Sequence, residues 1–206
     1  IAHPGFDETA SGVLACDLLD GGLRAPLLAY QYEARSGDGL IEGFLLAPFF
    51  IFFGRSLLSF KLCALASSLV TLLCWMLLLR RYYGVWAAAL FAALFTLPPP
   101  MFARLGLMGT IASHHLINPI AALQLLCLFR ITEGGDGGTG MRWWLGLGLL
   151  SALGTYAFYT FIILSAFCLL FLVLAVPVRV AIKGMPGYVL GFAAGAVPWA
   201  LRSISS

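Results

Sequence analysis

The chain has 206 residues, of which 61% are apolar and only 10% charged, with a net charge of +3. A soluble domain would carry roughly a quarter charged residues. The long uncharged stretches predict instead an all-α, polytopic helical membrane protein whose main partner is the lipid bilayer. The basic residues are scattered singly or in pairs, which speaks against nucleic acid.

Cys63, Cys74, Cys127 and Cys168 lie inside apolar runs, where they serve as small hydrophobes, while Cys16 sits in a polar N-terminal segment. No CxxC or Cys/His spacing marks a disulfide framework or a metal site. The numbering opens on Ile1 rather than Met and stops abruptly at Ser206, so a missing first span, or a fragment, is expected.

Residues 1–42 are mixed and hold Asp7, Glu8, Asp17, Asp20, Glu33, Asp38 and Glu42. Thr9 to Leu19 predicts a helix stopped by Asp20-Gly21-Gly22. Ser36-Gly37-Asp38-Gly39 predicts a turn. Residues 43–54 are very apolar, but twelve helical residues cover only about 18 Å, against a hydrocarbon core near 30 Å. An interfacial or re-entrant helix bounded by Arg55 fits better than a span.

Six spans are expected after this outer-face segment. Leu57 to Leu79 crosses and ends at Arg80-Arg81, and Val85 to about Phe102 returns, broken by Pro98-Pro99-Pro100. Residues 111–129 form the third, followed by a glycine-rich loop at 133–140. Trp143 to Val178 runs without a formal charge for about 54 Å if helical, too long for one crossing, so it must fold into a hairpin near Thr155–Thr160. Pro177, Arg179, Lys183 and Pro186 mark a loop, and Gly187 to Leu201 is the sixth span, with Gly191 and Gly195 allowing close helix approach. The domain reading is therefore 1–56 as an outer-face loop with interfacial helices and 57–206 as a transmembrane bundle.

Placing 80–84, 130–142 and 177–186 on the cytoplasmic side gathers Arg80, Arg81, Arg130, Arg142, Arg179 and Lys183 there, as the positive-inside rule requires. Asp7-Glu8, the interfacial helix, Arg104, His114, His115 and Arg202 then share the outer face.

Two readings of Asp7-Glu8 compete. One is a general base that takes a proton from an acceptor hydroxyl. The other is an acidic helix N-terminus stabilised by the macrodipole. Arg55, Lys61, Arg104 and Arg202 either bind phosphate oxygens or snorkel to headgroups. His114 and His115 point about 100° apart on a helix and read as interfacial hydrogen-bonding groups rather than a chelate. Tyr156, Tyr159 and Thr160 read as an aromatic belt at the hairpin tip, with Trp143-Trp144 and Tyr82-Tyr83 on the other face.

The order of features resembles a known superfamily. An outer acidic pair precedes a helix ending LLDGG, a short apolar helix ending FGRS and a span closing LLLRRYYG. AAALFAALFTLPPP, ARLGLM, WWLGLGLLSALGTYAFYTFIILSAF and GFAAGAVPWALRS follow. This is similar to the N-terminal half of the glycosyltransferase C superfamily, nearest the protein O-mannosyltransferases and the aminoarabinose transferases that modify lipid A. The resemblance implies a donor sugar on a polyprenyl phosphate, transferred at the periplasmic face of a bacterial inner membrane. It implies Asp7 as the catalytic carboxylate with Glu8 beside it. It also implies Arg104, with Lys61 where an arginine is common, as phosphate-binding residues, to which the position of Arg202 and Arg55 at the outer ends of their elements adds two more candidates. No cofactor beyond that donor is implied, and a divalent metal is left open.

The chain departs from the pattern in lacking an acid at Gly109 or Thr110 and a His-Pro-Pro stretch in the first loop. These gaps motivate an alternative: a non-catalytic glycosyltransferase-like scaffold that meets other membrane subunits through Gly191 and Gly195.

Overall fold

The computed structural model describes residues 6–24, 30, 38–98, 114–134 and 140–200, and for 6–10, 38 and 114–116 the backbone alone. The regular elements among the described residues are all helices: α1 (Phe6–Leu19), α2 (Asp38–Phe53), α3 (Leu57–Tyr83), α4 (Val85–Thr96), α5 (His114–Glu133), α6 (Met141–Ala157), α7 (Phe161–Ala175) and α8 (Val178–Gly195). They fall into two compact units, Ile1–Pro119 and Ile120–Ser206.

In the first unit, α1 starts three residues earlier than its apolar periodicity suggests, so Asp7 and Glu8 lie in its first turn. Acids there favour the helix dipole. Its end is a glycine stop: Gly21 takes φ 77°, and the Gly22 amide donates to the Asp17 carbonyl at 3.3 Å, closing a Schellman turn. Of the turn expected at 36–39, residues 36 and 37 lie outside the described residues, while Asp38 and Gly39 open α2, with an acid well suited to a first turn. Gly54, at φ 78°, ends α2. Ser56 caps α3 by accepting from the Ser59 amide at 3.4 Å, and the Ser59 hydroxyl donates back to the Gly54 carbonyl.

Helix α3 outruns its expected end by one turn, to Tyr83, and is the one described helix that is both long and apolar enough to cross a bilayer. Its outward face is a leucine stripe, Leu65, Leu69, Leu73 and Leu77, while Cys63, Ala64, Ser68 and Thr71 are buried. Large apolar groups outside and small or polar groups inside is the arrangement a lipid solvent permits. Gly84, at φ 88°, reverses the chain into α4, and Trp75 of α3 meets Phe91 of α4 at 6.2 Å between ring centroids. Helix α4 stops at Thr96, ahead of Pro98, short of the expected Phe102. Residues 99–113 lie outside the described residues.

In the second unit, the long uncharged run does break, with α6 ending at Ala157 and α7 starting at Phe161. The expected loop at 177–186 is instead helical: α8 runs from Val178 straight through Pro186. Packing onto α6 overrides the proline. Trp144 packs against Gly184, and the Leu145 carbonyl against Gly191. A Cβ on Gly195 would lie 2.7 Å from that of Ala152. Both sets of numbers rise together, so α6 and α8 run parallel, with backbones as close as small-residue helix pairs allow. Gly191 and Gly195 are thus filled by α6 rather than presented to a partner subunit.

Two aromatics read as belt residues are core. Trp144 and Tyr156 are each 1% exposed, the first set against Gly184 and the second edge-on to Trp199 at 6.0 Å. A buried polar link joins three helices, as the Gln124 amide donates to Ser151 at 3.0 Å and to Ser165 at 3.2 Å.

Candidate functional site

Among the described residues of the first unit, the most elaborate polar arrangement sits where the glycine stop of α1 meets the α2–α3 corner. Asp17 and Asp20 close the C-terminal turn of α1, where the helix dipole opposes negative charge. Two arginines offset this. The Schellman turn swings Arg24 back, and its Nε lies 3.1 Å from Asp17 Oδ1. The Tyr30 hydroxyl donates to Asp17 Oδ2 and accepts from the Arg24 amide at 3.0 Å. The Asp17 side chain is 1% exposed. Both its oxygens therefore have donors, as a buried carboxylate requires.

Arg55 is delivered by the break at Gly54. Its guanidinium forks onto Asp20: NH2 meets Oδ1 and NH1 donates to Oδ2 at 3.3 Å. The hydrogen bond from Arg55 is the largest influence holding the Asp20 carboxyl below its ordinary range, ahead of the field of Arg24, while burial opposes it. The same contact raises Arg55.

Beneath this rim lies a cavity of about 390 Å³. Its apolar walls include Val13 of α1, Phe50 of α2 and Leu57 and Phe60 of α3, with the Phe50 and Phe60 rings edge to face at 5.5 Å. Gly12 faces Phe60, and a Cβ there would come 2.7 Å from the ring. The hollow thus has oily walls and a rim of paired charges, Arg24 with Asp17 and Arg55 with Asp20, and its walls suit an apolar chain.

The expected site residues are placed unevenly. Asp7 and Glu8 are in the first turn of α1, their side chains outside the described residues. Asp17 and Asp20 are ten or more residues further on, roughly 15–20 Å along the helix axis. Arg55, held on Asp20, therefore sits at the other end of α1 from Asp7. Lys61 is half-buried near the start of α3. Arg104 and Arg202 lie outside the described residues.

Arg24, Asp17 and Tyr30 were not singled out from the sequence. The available signal was a pair of acids at a helix C-terminus, which calls for nearby cations.

A family model described as dolichyl-phosphate-mannose-protein mannosyltransferase matches residues 39–200. The match takes in α2 to α8, with Arg55, Lys61 and Arg104, and leaves out α1 and Arg202. The comparisons with curated proteins and with solved structures each gave no match. With most of its length matched, the chain belongs to the dolichyl-phosphate-mannose-protein mannosyltransferase family, membrane glycosyltransferases of the glycosyltransferase C type.

Proposed function

We propose that this protein moves a sugar from a polyprenyl-phosphate carrier to an acceptor hydroxyl at the outer face of a bacterial inner membrane, with six spans forming the bundle. The observation that carries this reading is the family match across α2 to α8. Asp7 takes the proton of the acceptor hydroxyl, and Glu8 stands beside it. The acceptor oxygen bonds to the anomeric carbon as the bond from that carbon to the phosphate oxygen breaks, and the electron pair leaves with the polyprenyl phosphate. Charge grows on the phosphate during this step, so fixed cations favour the transition state over the bound donor. Arg104, with Lys61 and Arg202, supplies that stabilisation. Arg55 stays on Asp20 and shapes the rim of the cavity, because α1 separates it from Asp7 by more than the length of a hexose.

The test is transfer from a radiolabelled polyprenyl-phosphate sugar by the full-length protein in lipid. Asp7→Asn should lower turnover by roughly 100-fold or more while donor binding stays within a few fold. Turnover at the wild-type rate would remove Asp7 from the mechanism.

A further inference from the structure

One end of the second unit collects cations that the sugar-transfer reading does not use. The parallel pairing of α6 with α8 puts their N-termini together, and with them Arg142, Arg179 and Lys183. The C-terminal turn of α5 adds Arg130. Ile131 of α5, Trp144 of α6 and Val176 at the end of α7 pack in one cluster, with Val180 and Ala181 of α8 against it, and this ties these helix ends to each other. Arg130 and Arg142 both address the Trp143 indole, with guanidinium carbons 5.4 and 5.2 Å from the ring centroid. Two like charges on one ring are no further apart than about 11 Å, close to the screening length in physiological salt. They therefore repel unless an anion joins them.

The helix dipole accounts for Arg130 in the last turn of α5, which Glu133 also shares, but not for the cations at the start of α6 and α8. Arg142 and Arg179 lie in the first turns of their helices, where the dipole disfavours cations. Neither helix has an acid in its first turn or a side-chain cap on its leading amides. Among the described residues none of these four cations forms an ion pair, and Arg130 Nε is buried with no hydrogen-bond partner. Cations, open helix amides and an indole at one end of the unit match the phosphodiester of a lipid: guanidinium forks fit its oxygens, and tryptophan favours headgroup depth.

We infer that this end binds the headgroup of an anionic phospholipid, with Arg130 and Arg142 around Trp143 as its core and Arg179 and Lys183 as its flank. The experiment is native mass spectrometry of the full chain in detergent, titrated with phosphatidylglycerol or phosphatidylcholine. Phosphatidylglycerol should be retained selectively. Arg130→Gln with Arg142→Gln should weaken its retention roughly thirtyfold. Arg179→Gln with Lys183→Gln, at exposed positions on α8, should weaken it to a similar degree and guards against misfolding of the first pair. Equal retention of the two lipids, or wild-type selectivity in a folded double variant, would overturn the assignment. Displacement by inorganic phosphate as effective as that by the lipid would overturn it too, since the site would then take the free ion.

Discussion

The Ser11 hydroxyl, fully buried in α1, donates to Glu42 Oε2 of α2 at 3.1 Å. Ser11 is one helical repeat beyond Asp7, so this bond fixes the rotation of the helix that carries the proposed base. Ser11→Ala removes a donor from a carboxylate that is 5% exposed and should cost about 1.5–3 kcal/mol, the range for hydrogen bonds to charged groups. Thermal melting in detergent reads this. A melt equal to that of the wild type would mean the contact contributes nothing. Ser11→Thr keeps the hydroxyl and should recover part of the loss.

Gly191 should tolerate no side chain. A Cβ there would sit 2.9 Å from the Leu149 amide nitrogen, which cannot yield without moving α6. Gly191→Ala should destabilise by about 1–3 kcal/mol through overpacking. The neighbouring exposed Ala193 offers a control, since Ala193→Leu should leave the melt within about 0.5 kcal/mol. Equal effects at the two positions would contradict the close crossing.

Acid should loosen the corner between α1 and α3 late. The Asp20 carboxyl is held below its ordinary value, chiefly by the Arg55 hydrogen bond. Its contribution to stability is complete above the unfolded pKa and is lost as pH falls through the lowered folded one. The corner should therefore survive mild acid and open only below the usual aspartate range, near pH 4. Arg55→Gln removes the main cause and should move the Asp20 titration, followed by NMR of the labelled carboxyl, back toward that range. An unmoved titration in the variant would refute the attribution.

Gln124 should prove nearly dispensable for stability. It is 0% exposed, and its Oε1 has no hydrogen-bond partner among the described residues. Interhelical hydrogen bonds within membranes average only about 0.6 kcal/mol. Gln124→Met keeps most of the volume and deletes the unsatisfied oxygen, so its melt should lie within about 1 kcal/mol of the wild type. A loss several times larger would show that Ser151 and Ser165 depend on the amide.

Features set by local chemistry were legible in the sequence. Asp20-Gly21-Gly22 announced the end of α1, because few residues other than glycine accept the required backbone angle. The break between α6 and α7 followed from length, since no bilayer holds a straight helix from Trp143 to Val178. What failed was pairwise. Pro177, Arg179, Lys183 and Pro186 look like a loop one residue at a time, and only the glycine face of α8 against α6 makes them helical. Trp144 has the spacing of a belt residue and is buried because Gly184, forty residues away, leaves room for it. Likewise Arg55 was legible as a cation at a helix end, while its partner Asp20 comes thirty-five residues earlier on another helix.

The parallel arrangement of α6 and α8 carries a consequence for biogenesis. Two neighbours pointing the same way cannot zip together as a hairpin, so α7 has to be threaded back first. The notch at Gly148, filled by the Tyr188 carbonyl and the Phe192 amide, stays open until α8 is in place. The seam between the two helices is therefore the last contact of this unit that the chain order allows to close.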